Sequence, residues 1–291
     1  MSFCSGFAAI IGRPNVGKST LMNWLVGQKI AIVSNKPQTT RHQILSIVHG
    51  DGYQIALIDT PGFHKPKHKL GQRMVKTAEN AANDVDLLLL MVSCHDRVSI
   101  LPALENVSKP VFLVLNKIDT IEKSKLLTLI DSYSKLYNFA QIVPISAAKG
   151  ENVNLLLEQM CKYIPEGPPY FPDDMVTDQH ERQLAAEIIR EKALFCLQEE
   201  LPHGIAVEIM SMKERKNKNL IDMEATIYCD KASHKGMVIG KKGDMLKKIG
   251  SLARVDLDEL LGMPVNLQLW VKVKKDWRDN DFLLRNFGFD G

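Results

Sequence analysis

The sequence predicts an α/β chain of two domains: a mixed, mostly parallel sheet with helices on both faces, then a smaller α+β domain. Three observations carry this. Apolar runs of strand length alternate with helical patterns as far as Ile164. Pro165, Pro168, Pro169 and Pro172 then crowd into a stretch that no helix or central strand accepts. Beyond them the order changes to a long amphipathic helix, two strands, further helix and a last strand. With 291 residues, 45% of them hydrophobic, the chain has material for two cores. The expected boundaries are residues 1–168, a linker at 169–177, and residues 178–291.

Each element follows from pattern. Residues 7–11 read as the first strand and 20–27 as the helix after it. Residues 43–48 and 53–58, separated by Gly50-Asp51-Gly52, read as an antiparallel pair at the sheet edge. Residues 85–92, 111–115 and 141–145 are apolar runs typical of buried parallel strands. In the second domain, Leu184, Ile188, Leu194 and Leu197 recur near helical spacing across 178–200, and Pro202-His203-Gly204 ends that helix. Strands at 206–212 and 220–229, a helix at 244–261 and a strand at 265–273 complete it. Trp270 shares its strand with Leu267 and Leu269, so it is expected in the core.

Chemistry enters with four short words. Gly12 to Ser19 fits G-x-x-x-x-G-K-[ST], and it stands between a strand and a helix as that pattern requires. Backbone N–H groups of Gly12, Asn15, Val16 and Gly17 can curl around a polyphosphate at the helix N-terminus, with Lys18, Ser19 and Thr20 beside it. Lys18 reaches the β- and γ-phosphates, and the Ser19 hydroxyl completes a magnesium shell. Asp59, at a strand's carboxyl end, opens Asp59-Thr60-Pro61-Gly62 and can hold magnesium through water. The Gly62 N–H is placed to sense a γ-phosphate.

The base is read by Asn116-Lys117-Ile118-Asp119. A carboxylate only accepts, so Asp119 suits guanine, whose edge presents two donors; adenine would leave it unpaired, a mismatch worth ~10⁴-fold. The Lys117 stem can lie along the purine face, and Asn116 can tie its loop to the phosphate loop. Ser146-Ala147-Ala148-Lys149 offers a backbone N–H to the guanine O6. The nucleotides are therefore GTP and GDP, with Mg²⁺. An ordinary metabolic kinase is disfavoured, since it would need a substrate phosphate site and has no use for Asn-Lys-x-Asp. In the loop at 36–41 a threonine can close on magnesium when a γ-phosphate is present; Thr39 and Thr40 are the alternatives and Thr40 is favoured. Lys18, Thr40 and Gly62 form the expected catalytic set, and Ser19, Thr40 and Asp59 the metal set.

At the other end, Ile239-Gly240-Lys241-Lys242-Gly243 contains a G-x-x-G loop at a helix start, which can clamp the backbone of about four nucleotides. From Lys231 to Arg254 seven basic residues, Lys235 and Lys247 among them, meet one acidic, Asp244. The whole chain is only +3, so the basicity is local.

These words in this order resemble the translation-factor class of GTPases, and residues 6–288 as a whole resemble the Era-like family of bacterial ribosome-assembly GTPases. The residues carrying the resemblance are Asn-Val-Gly-Lys-Ser-Thr, Pro-Gln-Thr-Thr-Arg, Asp-Thr-Pro-Gly, Asn-Lys-Ile-Asp, Met237 to Gly243, and Leu269 to Lys274. It implies a P-loop GTPase domain joined to a type II KH domain, whose order is helix–strand–strand–helix–helix–strand. It also implies recognition of the 3′ end of small-subunit (16S) ribosomal RNA and a role in 30S subunit assembly.

One departure bears on mechanism. Ras-like enzymes place a water-orienting glutamine after the Asp-x-x-Gly glycine; here that position is Phe63. Unstimulated turnover is expected at about 10⁻³ s⁻¹ or less. Asn15 resembles the residue of GTPases that recruit potassium in place of an arginine finger, so K⁺ is expected to speed hydrolysis. The rival readings are a switch acting through a protein partner and one acting at the inner face of the cell membrane, where the basic surface leaves peripheral contact open.

Other features read as bland. His64 and His68 stand among lysines with no carboxylate or thiol near, which disfavours a metal. The five cysteines lack C-x-x-C spacing, and a reduced cytosolic compartment is expected. No signal core or membrane span is expected, and a monomer is.

Overall fold

The structure, a computed structural model, describes residues 2–33, 44–59, 69–70, 72, 85–99, 104, 107–197 and 204–287. Thr39, Thr40, Gly62, Phe63, His64 and His68 lie outside the described residues. Two compact units divide the described residues: the first takes most of those up to Asp178, and the second takes those from Gln179 onward together with residues 32–33, 69–70 and 72.

In the first unit β1 (Cys4–Gly12), α1 (Lys18–Val26), β2 (Ile44–Gly50), β3 (Tyr53–Asp59), β4 (Leu87–Ser93), β5 (Val111–Asn116), α2 (Lys123–Ser134), β6 (Gln141–Pro144) and α3 (Val153–Cys161) follow in order. The sheet runs β2-β3-β1-β4-β5-β6; β2 is antiparallel to β3 and every other pairing is parallel. Both faces are covered, so the central strands are apolar throughout, and every residue of β4 is buried. Period two still decides which core each joins. Leu87, Leu89 and Met91 pack with Ile10, Leu57 and Phe112 on one face, while Leu88 and Leu90 pack with Ile11, Leu113 and Tyr133 on the other. Each such leucine contributes about 2–3 kcal/mol by burial.

The parallel arrangement points the carboxyl ends of β1, β3, β4 and β5 to one edge, where Gly12, Asp59, Ser93 and Asn116 end their strands. That edge is where an open parallel sheet builds its ligand site.

The stretch expected as a linker, 169–177, belongs with the first unit. The buried Gln54 side chain accepts from the backbone N–H of Tyr170 (2.8 Å) and Phe171 (3.0 Å) and donates to the Phe171 carbonyl (2.8 Å). Both rings lie against Phe7, with centroids 5.4 and 6.2 Å away. Further on, Ile47 N–H donates to Val176 O at 2.9 Å, and the Thr177 hydroxyl donates to Leu45 O at 2.7 Å. The segment thereby satisfies backbone groups of β2, an edge strand that would otherwise present them to another chain.

The second unit contains α4 (Glu181–Cys196), β7 (Ile205–Glu214), β8 (Ile221–Cys229), α5 (Ala232–Ile239), α6 (Asp244–Leu261), β9 (Val265–Val273) and α7 (Asp281–Asn286). Its sheet is β7-β8-β9, with β7 antiparallel and β9 parallel to β8. Ile189, Met223, Ile227, Ile249 and Leu257 form the core between α4, α6 and the sheet. Trp270 corrects the sequence expectation: it is 57% exposed. It shares strand parity with exposed Gln268 and Lys272, whereas Val271 takes the buried face. Trp277 is the buried tryptophan, and its indole N–H donates to Gly204 O at 3.0 Å.

Candidate functional site

The turn from β1 into α1 is built by backbone conformations that few residues tolerate. Gly17 sits at φ 109°, ψ 19° as the N-cap of α1, and a Cβ there would lie 2.2 Å from Asn116 Nδ2. Only glycine allows both the angle and the close approach. Asn15 also has positive φ, at 64°.

Lys18, the first residue of α1, is folded into this turn. It is 6% exposed, and its Nζ donates to Gly12 O at 3.2 Å and Arg13 O at 3.3 Å. Burial presses its ammonium below the usual lysine range, and the Asp59 carboxylate opposes that shift. A buried ammonium held by neutral carbonyls is poised to take an anion. The Ser19 hydroxyl donates to Asp59 Oδ2 at 3.1 Å, and Asp59 is buried at the end of β3. Hydroxyl and carboxylate oxygens are the hard donors magnesium selects, so these residues fit the ion. Thr20 follows on α1.

Asn116 joins three loops with one amide. Its Nδ2 donates to Val16 O at 2.7 Å, and its Oδ1 accepts from Ala147 N–H at 2.9 Å. Both of those neighbours are buried, and Asn116 is 3% exposed, so the bonds form where water does not compete. Lys117 adopts φ 69°, ψ 33° and its Nζ donates to Asn15 O at 2.9 Å. Asp119 Oδ1 accepts from the Ser146 hydroxyl at 2.7 Å. That bond, assisted by Lys149, holds the Asp119 carboxyl below its usual range, and so keeps it an acceptor. The Lys149 Nζ lies 3.6 Å from Asp119 Oδ2. The sequence reading did not single out Lys149, though it ends the Ser-Ala-Ala-Lys word, while Ala148 beside it is exposed.

In the second unit Gly240 (φ 74°, ψ 180°) and Gly243 (φ 87°) flank Lys241 and Lys242, with Lys242 itself at φ 54°. Ile239 packs against the core, which roots the loop, while Lys241, Lys242 and Lys247 are exposed and Lys235 is half-buried. Small residues and exposed lysines leave room and charge for a sugar–phosphate backbone.

Comparison with known proteins places the fold and the whole chain among relatives. A family model described as "50S ribosome-binding GTPase" matches residues 7–117, and one described as "KH domain" matches residues 200–278. "GTPase Era" of Ruminiclostridium cellulolyticum is 54% identical, covering 99% of this chain and 98% of its own. "GTPase Era" of Clostridium kluyveri is also 54% identical, over 98% of this chain and 99% of its own. Among solved structures, a point variant of Aquifex aeolicus Era bound to GDP and AlF₄⁻ superposes with a TM-score of 0.94 at 42% identity, covering 99% of this chain and 100% of that one. An Era complex with MgGDPNP and nucleotides 1506–1542 of 16S ribosomal RNA gives the same TM-score, identity and coverage. With its whole length matched in this way, the chain belongs to the GTPase Era family.

Proposed function

We propose that this protein is a GTP-hydrolysing switch that binds the 3′ end of 16S ribosomal RNA through its second domain and assists 30S subunit assembly. The observation that carries the nucleotide half is the Asn116 side chain, bonded at once to Val16 of the phosphate loop and Ala147 of the O6 loop. These two bonds tie the loops together, which supports reading them as parts of one receptor for phosphate and base. Relatives of this chain have been seen with magnesium, guanine nucleotides and that RNA.

In this reading Gly12 and Asn15 to Thr20 cradle the phosphates, Lys18 meets the β- and γ-phosphates, and Asp119 reads the base edge. Ser19 and Asp59 hold magnesium, with Thr40 closing on it; the ion supplies charge compensation at the phosphates. Thr40 and Gly62 sense the γ-phosphate. Phe63 cannot orient a water, so turnover without a stimulator is slow. Ile239 to Gly243, with Lys235 and Lys247, clamp RNA. The protein acts as a cytoplasmic monomer, with any membrane contact peripheral at the inner face; among the described residues no helix is long and apolar enough to cross a bilayer.

The deciding experiment titrates a single-stranded RNA matching that 3′ end against the GTP-analogue and GDP forms. Tighter binding by one form is expected and establishes coupling of the two sites. Absence of binding in both forms would overturn the RNA reading.

A further inference from the structure

Behind the base-reading loop lies a turn that the sequence motifs do not include. Leaving β4, Cys94 N–H donates to Asn116 O at 3.0 Å. The next residue, His95, places Nε2 2.7 Å from the Thr120 hydroxyl, and that hydroxyl lies 2.5 Å from Lys117 O. Thr120 N–H donates to the same carbonyl at 3.1 Å.

Proton arithmetic orders this chain. Lys117 O can only accept, so the single Thr120 hydroxyl proton points to it. The hydroxyl must then accept from His95, which fixes the imidazole as the Nε2–H form. A neutral histidine has one such donor, and the geometry spends it here. The carbonyl being held belongs to Lys117, whose left-handed backbone (φ 69°) is costly for a residue with a Cβ and persists only where surroundings hold it. Lys117 and Asp119 are the two residues whose posture decides how the purine is met.

We infer that His95 is a positioning residue for guanine recognition: through Thr120 it holds Lys117 and Asp119 in the posture that reads the base. This rests on the assignment of Asp119 as the base reader. His95 touches no nucleotide atom in this role. His95 and Thr120 line an open cavity of about 690 Å³ together with Cys94, Asp119 and Glu122. Water can enter there and replace a lost bond in part, so the effect is graded: about three- to ten-fold in affinity, the range of one hydrogen bond.

The test measures GDP and inosine diphosphate affinities of the full chain. Inosine lacks the exocyclic amino group, and so offers Asp119 one donor instead of two. His95→Ala is expected to weaken GDP about three- to ten-fold and to narrow the preference for GDP over inosine diphosphate. His95→Gln, which keeps an N–H donor, recovers most of the loss. Thr120→Val reproduces it, and the double variant is no worse than either single change, because one chain is cut twice. Wild-type affinity and preference in His95→Ala would overturn the inference, as would losses that multiply in the double variant. Asp119→Asn separates the two levels. If it gains xanthosine diphosphate while His95→Ala is silent, positioning alone falls. If it gains nothing, the guanine assignment falls too.

Discussion

Lys18 and Asp119 show how neighbours set the working state of a single group. Burial pushes the Lys18 amine below the usual lysine range, and Asp59 is the carboxylate that opposes that pull. Asp119 stays an anion through a hydroxyl bond and a nearby lysine. Asn15, whose carbonyl also receives Lys117, is the residue through which we expect potassium to act. Hydrolysis measured in potassium chloride should run several-fold faster than in sodium chloride, and Asn15→Ala should erase the difference. Equal rates for the unaltered protein would remove potassium from the mechanism. Such detail was only partly legible: the Asp119 acceptor role follows from residue type, but the Ser146 bond required the fold to bring the two together.

At the scale of the element, the glycine loop between α5 and α6 makes a sharper claim than its motif. Gly240 occupies a region of backbone space nearly confined to glycine, and a Cβ there would lie 2.6 Å from Met245 Cβ and 2.8 Å from Met245 N. Around Gly243 a Cβ would meet nothing within 4 Å. Gly240→Ala should therefore cost about 2–3 kcal/mol by urea denaturation and weaken RNA binding, while Gly243→Ala should cost about 1 kcal/mol. Equal costs would show that the loop relaxes freely. In the motif the two glycines look equivalent. Their difference comes from what α6 places beside each.

For the whole molecule, charge is the property that sums. A net +3 spread over 291 residues predicts little, but seven basic residues against one acidic between Lys231 and Arg254 predict an anionic partner. With three to four phosphates contacted, log affinity for single-stranded RNA should fall with log salt at a slope of about −2 to −3. A flat dependence would mean that the lysines around the loop do not meet phosphate. The segment 169–177, read as a linker from its prolines, lies instead along β2 and under Gln54. Proline content announced only that the segment was neither helix nor central strand. A sheet edge takes such a segment because pairing there needs only some of its backbone groups.

What this sequence determined by itself was whatever depends on neighbours in the chain. That includes strand and helix periods, the phosphate-loop turn, the acceptor at Asp119 and the basic run around Gly240. The sequence expected Asn116 to tie its loop to the phosphate loop, but only tertiary structure decided which atoms of Val16 and Ala147 it bonds, the chain from His95 through Thr120 to Lys117, and the exposure of Trp270. These link positions up to 100 residues apart or choose between the two faces of a strand. The physical reason is range. Backbone propensity and hydrophobic period act over a few residues, whereas a hydrogen bond between loops exists only after the sheet has set their spacing.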